Sequence, residues 1–198
     1  MKKLAILTLI LSCAPAVWAK ATSATYQVDA KTSEVRWLAK KVTGQHNGVV
    51  PVKSGQLKVA NNSITGGKIV IDMTGITPLD TQSDKLTNHL KSDDFFGVEK
   101  FPTSTFEITG VKAIAGAKAA EPNVQVEGKL TVKGISHPLS FPATITIADK
   151  SLKASAQGVK VDRTLYNVRY GSGKFFENLG DKTIEDIFTI DFDLNAAR

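Results

Sequence analysis

The sequence predicts an all-β fold of antiparallel strands, closed as a barrel or packed as a sandwich, with a single short helix. Three observations carry this expectation. Apolar residues recur with a period of two through most of the chain, turn residues separate the runs at short spacing, and only one window breaks the alternation. At 198 residues the chain has the length of one domain with one sizeable core.

The first nineteen residues read as an export signal. Lys2 and Lys3 supply a positive start, Leu4 to Leu11 an apolar stretch too short to span a bilayer, and Val17-Trp18-Ala19 a small-residue cleavage site. Cleavage after Ala19 leaves residues 20–198 as the exported domain and predicts a periplasmic or secreted protein. The alternative is a lipoprotein: Ile10-Leu11-Ser12-Cys13 loosely resembles a lipidation box, though the site at Ala19 is better formed. Cys13 is the single cysteine, so cleavage would leave no disulfide and no cysteine-ligated metal.

Past the signal, Val35, Trp37 and Ala39 alternate with Glu34, Arg36 and Lys40, and Ile69, Ile71 and Met73 with Val70, Asp72 and Thr74. Residues 80–90, DTQSDKLTNHL, lose the alternation; Ser83 or Asp84 can cap a helix of two or three turns carrying Leu86 and Leu90. The next strand carries Phe106 and Ile108, and small residues from Ala113 to Asn123 form a hairpin tip. Val124, Val126, Leu130 and Val132 then share one face, as do Leu139, Phe141, Ala143, Ile145 and Ile147. A last strand presents Phe188, Ile190, Phe192 and Leu194. Asn61-Asn62, Gly66-Gly67, Gly134 with His137-Pro138, Asp149-Lys150 and Gly171 to Gly173 read as turns.

Sheets in water must bury a face and manage their edges, and closure into a barrel does both. About eight tilted strands give an interior that side chains fill or that holds one small ligand. Strand parity turns Trp37, Phe106, Leu130, Val132, Phe141, Phe188 and Phe192 inward, either as solid core or as the lining of an apolar cavity. Residues 92–111, SDDFFGVEKFPTSTFEITGV, follow the helix. Phe95, Phe96, Val98 and Phe101 would close one barrel end, Phe95 and Phe101 joining the lining, with Asp93 and Asp94 as its wet rim.

These residues carry a resemblance. LKSDDFFGVEKFPTSTFEITGV resembles the YceI-like family's pattern of a helix, S-x-x-F-F-x-x-x-x-F-P and a Phe-bearing strand. VEGKLTVKGISHPLSFP is similar to its G-x-L-T-x-x-G-x-x-x-P hairpin, through Gly128, Leu130, Thr131, Gly134 and Pro138. The resemblance runs from about Tyr26 to Leu194. It implies an eight-stranded antiparallel lipocalin-like β-barrel with one short helix, exported, that binds a long polyisoprenoid or related amphipathic lipid inside. The stretches 37–57 and 161–183 fit that family only loosely, which bears on ligand identity because entrance loops set specificity.

For a ligand's polar head the sequence offers His46, Arg163, Tyr166 and Arg169, with Lys40, Lys41 and Tyr170 nearby. Arginine presents a planar fork and tyrosine a hydroxyl on an apolar body. The plainer reading of Arg163 is an ion pair with Asp162, and of His46 and His137 that they are turn residues. No H-x-x-x-H or H-E-x-x-H spacing points to a metal, no G-x-S-x-G to a nucleophile and no Gly-rich phosphate loop to a cofactor. There are 25 basic residues, Lys2 and Lys3 among them, against 19 acidic, with no run of five or six like charges. That pattern argues against a nucleic-acid partner and is compatible with transient contact with an anionic membrane. The reading is a binding protein, not an enzyme, for a polyisoprenoid, isoprenoid quinone or fatty acyl amide, in transport, storage or stress response, with a homodimer left open. A filled barrel that binds partners through its loops, and an enzyme acting on a held lipid, are the competing readings.

Overall fold

The computed structural model describes residues 23–198. The export signal, Cys13 and the cleavage site at Ala19 lie outside the described residues. Eleven strands build the sheet: β1 (Ser23–Val28), β2 (Glu34–Lys41), β3 (Gly44–Val50), β4 (Val52–Ala60), β5 (Ser63–Asp72), β6 (Thr77–Pro78), β7 (Thr103–Ala113), β8 (Val124–Val132), β9 (Ile135–Ile147), β10 (Ser151–Asp162) and β11 (Ile187–Ala197). Every pairing is antiparallel.

They close as an eight-staved barrel, because four of them combine in pairs and the two-residue β6 only flanks β3. β1 and β2 are one stave interrupted at residues 29–33; β1 pairs with β4, and β2 with β3. β3 and β4 are a second stave, broken at Pro51, which has no N–H for a ladder. β5, β7, β8, β9, β10 and β11 follow in order. β11 then bonds to β2 through residues 189–193 and to β1 through Ala196 and Ala197, which shuts the ring.

Local chemistry places the turns. Asn61 and Asn62, at φ of 51° and 59°, join β4 to β5 in the left-handed conformation that tight hairpins require and asparagine tolerates. Gly66 and Gly67 are not a turn, as their sequence suggests, but lie inside β5. A Cβ on Gly67 would come within 2.5 Å of the Gln56 carbonyl oxygen, so the close approach of β4 selects glycine there. His46 and His137 likewise sit within strands β3 and β9, the turn beside His137 being Lys133-Gly134.

Among the described residues α1 (Asp84–Lys91) is the one α-helix, and Ser83 caps it, its hydroxyl oxygen accepting from the Leu86 N–H at 3.4 Å. The helix and residues 92–102 cover the end where β2 and β3 turn. At the far end the Tyr26 hydroxyl donates to the Ala148 carbonyl at 2.9 Å, over a fully buried Leu152.

The long connection from β10 to β11 is held by Arg163, only 5% exposed. Its Nε–H donates to the Glu185 carbonyl, Nη1 to those of Val168 and Tyr170, and Nη2 to that of Ile184, at 2.8–3.0 Å. The expected ion pair with Asp162 does not form. Asp162 instead accepts from the N–H and hydroxyl of Thr164, and Asp186 faces Arg163 at 3.5 Å.

Two stability measurements follow. Leu152→Ala removes a side chain with no exposed surface and is expected to cost about 2–5 kcal/mol in urea unfolding. Arg163→Met strands four carbonyls and Asp186 and is expected to cost roughly 3 kcal/mol or more in the same assay.

Candidate functional site

Inward-facing positions are apolar on nearly every stave, Ser104 of β7 being a buried exception, and they do not fill the barrel. Two lobes remain, of about 110 and 120 Å³, sharing a waist formed by Val35, Ile71, Leu130 and Ile190. The far lobe lies among Leu57, Ile69, Phe106, Phe141, Val159 and Phe192. The lid lobe lies under the helix and residues 92–102, among Trp37, Met73, Phe95, Phe96, Val132 and Phe188. No polar atom contributes surface to either. Even the Trp37 indole nitrogen, buried without a hydrogen-bond partner, stays out of reach of the space.

The strand alternation gathers the residues that parity turned inward. Phe106, Phe141 and Phe192 line the far lobe, Trp37, Val132 and Phe188 the lid lobe, and Leu130 both. Phe106 and Phe192 flank Phe141, ring centroids 5.4 and 5.7 Å away. Phe95 reaches the lid lobe, but Phe101 lines neither. The chain reverses at Gly97, φ 54°, and carries the Phe101 ring outward over Gly134 in the β8–β9 turn.

The lid itself is knitted by short-range hydrogen bonds. Phe96 N–H donates to the Leu90 carbonyl, Val98 N–H to that of Lys91, and Gly97 N–H to that of Ser92. Lys100 pairs with Asp93 at 2.7 Å, which with the nearby charge holds that carboxyl below the usual range. Lys133 donates to the Asp93 carbonyl, and Asp94 meets His89 at 3.0 Å. Both aspartates are therefore rim residues with side-chain partners, outside the apolar space.

The four residues considered for a polar head each have a different neighbour. Arg163 borders the lid lobe with its donors committed to the carbonyls described above. Tyr166, 2% exposed, packs with Leu130, Val132 and Val161 and meets the His137 ring edge-on at 5.4 Å; burial, then the nearby Asp162, raises its hydroxyl above the ordinary range. Arg169 lies over the Phe175 ring, 4.7 Å from its centroid. His46 sits at the rim, Nδ1 2.7 Å from Asp80 Oδ2. Burial pushes the Asp80 carboxyl up, but the contacts from His46 and the Asn47 N–H outweigh it and leave it lowered.

Lining residues that parity did not single out come from two sources. Val35, Ile71 and Ile190 lie in runs whose alternation is plain, but aromatic size drew attention elsewhere. Met73 continues the alternation of Ile69 and Ile71 just past the end of β5, whereas Ile76, Leu90, Val168 and Ile184 come from turns, the helix and the long connection, where no period of two exists to reveal them.

Comparison with known proteins places this geometry. The model of the YceI-like domain matches residues 26–196. A UPF0312 protein of Staphylococcus aureus (strain bovine RF122 / ET3-1) is 34% identical over 95 residues, 47% of this chain and 50% of that protein. One of Pseudomonas aeruginosa (strain LESB58) is 33% identical over 85 residues, 43% of this chain and 40% of its own. The matched region thus spans about half or less of these curated relatives. Among solved structures, Burkholderia cenocepacia BcnA is similar at a TM-score of 0.67 and 22% identity, covering 86% of this chain and 99% of that one. A polyisoprenoid binding domain from Saccharophagus degradans, implicated in plant cell wall breakdown, is similar at 0.62 and 16%, covering 87% and 97%. At those identities the two structures share the fold. The match of the domain model across nearly all the described residues decides the family: this chain belongs to the YceI-like domain family.

Proposed function

We propose that this chain binds a long apolar molecule, a polyisoprenoid, isoprenoid quinone or fatty acyl amide, inside its barrel and acts after export to the periplasm or beyond. The observation that carries the reading is a barrel interior with two adjoining lobes and no polar surface. Its family, and the polyisoprenoid binding ascribed to the Saccharophagus degradans domain, support it. The binding mode is capture by burial. Each methylene taken from water contributes about 0.8 kcal/mol, so about ten offset an association cost of several kcal/mol without any strong polar contact. The polar end of such a ligand has no partner inside and belongs at the rim, where His46 and Asp80 are the exposed pair at the lid end. Among the described residues the two lobes present no polar surface, which favours a holder over an enzyme. A role in transport, storage or stress response, and brief contact with a membrane that supplies the ligand, belong to the same proposal.

The test is fluorescence titration with cis-parinaric acid, an 18-carbon chain whose emission rises in apolar surroundings. The expected dissociation constant is on the order of micromolar, with all-trans-geranylgeraniol displacing the probe. Ile190→Phe places a ring in the waist and is expected to weaken probe binding about tenfold or more while the fold, checked by circular dichroism, is kept. Absence of any uptake by the unaltered chain, whether freshly extracted with solvent or not, would leave a filled barrel as the correct reading.

A further inference from the structure

One stretch of the barrel wall has no ladder. β9 pairs with β8 from Ile135 to Ala143, but with β10 only from Thr144 to Ile147, opposite Ser155 to Leu152. Beyond that point the remainder of β10, Val159 to Asp162, is bonded to β11 alone. Residues 135–143 of β9 and 156–162 of β10 therefore face each other unpaired.

The sequence of β9 enforces this. The Ala143 carbonyl accepts from the Asn123 N–H and the Ile145 N–H donates to Asn123 Oδ1, both at 2.9 Å, so odd-numbered backbone groups look toward β8. Even-numbered groups look toward β10, and two of the four in the unpaired stretch are Pro138 and Pro142, with no N–H to give. The ladder stops at Thr144, one step before Pro142 would have to donate. β10 turns away at the matching place. Its register shifts across Gln157 and Gly158, Gly158 adopts φ 65°, and its N–H donates to Asp191 on β11 at 2.6 Å. Prolines on one strand and a bulge on the other are devices that keep strands from pairing.

What lies behind the seam is the far lobe. Leu139 and Phe141 of β9 and Val159 of β10 line it, and Leu139, although turned inward, is only half-buried. The seam is limited above by the His137 and Tyr166 rings and below by the remaining ladder. Each lobe is smaller than the ~150 Å³ of an engineered cavity that takes a benzene ring, so a chain of ten or more carbons overruns it. Parting the seam breaks no backbone hydrogen bond. The lid's own hydrogen bonds and its Asp93–Lys100 pair are internal to it, but lifting it breaks the bonds that tie it to the barrel, from Lys133 to the Asp93 carbonyl and from the Met73 N–H to the Pro102 carbonyl.

We propose that the β9–β10 seam is a lateral portal, by which the hydrocarbon chain of the ligand enters the far lobe and along which the part that overruns the lobes lies. This rests on the apolar-binding reading above. Leu139 and Val159 form the jambs, and the occupant is an unbranched or prenyl chain thin enough to pass between two strands.

The test uses the full chain with Cys13→Ser and a single exposed cysteine, Ser140→Cys at the seam or Glu99→Cys on the lid, each labelled with a bulky tetramethylrhodamine maleimide. Stopped-flow uptake of cis-parinaric acid, corrected for energy transfer with a labelled Lys53→Cys control, gives the rate. The seam label is expected to slow uptake about tenfold and the lid label to leave the rate within about twofold of the control. Equal rates for seam label and control, or slowing by the lid label alone, would overturn the portal while leaving the binding reading intact. No uptake by the unlabelled chain would overturn the binding reading, and the portal with it.

Discussion

Closure of the sheet through β11 is the constraint on which the rest of the molecule depends. A sheet of eight staves left open would expose two rows of unpaired backbone groups and one whole apolar face. β11 prevents both by bonding to β10 along one edge and to β1 and β2 along the other. Its own inward residues, Phe188, Ile190, Phe192 and Leu194, run the length of the interior, from the lid lobe through the waist to the far end. The strand that seals the wall is thus also the strand that spans both lobes.

Order at the lid end has a different origin. There the covering elements are irregular, and backbone groups that no ladder satisfies need other partners. Arg163 meets this need for the long connection by engaging four carbonyls, while Lys133 donates to the Asp93 carbonyl. Desolvation depresses the pKa of both cations, which is the electrostatic cost of placing charge where backbone oxygen must be satisfied.

Much of this was legible in the sequence, and the exceptions have physical causes. Period-two alternation survives burial of one sheet face, so the strands with Val35, Leu130, Phe141 and Phe192 and their inward sides could be read directly. The helix announced itself by Ser83. Arg163 was misjudged because a sequence shows which charges are neighbours along the chain, not which carbonyls a loop turns inward. Phe101 was misplaced because Gly97 reverses the backbone, and Gly66-Gly67 because close approach of strands selects glycine as strongly as a turn does. In β10 the inward set changes from Ala154 and Ala156 to Val159 and Val161, a shift of parity at Gly158 that alternation counted from either end would miss.

The waist of Val35, Ile71, Leu130 and Ile190 has a consequence for selectivity. On the apolar-binding reading, a constriction edged by branched aliphatic side chains would not distinguish an alcohol from an acid or an amide; it would measure thickness. Straight and methyl-branched chains would be sorted there by cross-section, and any choice among polar ends would fall to the rim. On that reading the occupant of the barrel would be set less by its walls than by the mixture of chains the protein meets, so that one sequence would hold different molecules in different surroundings.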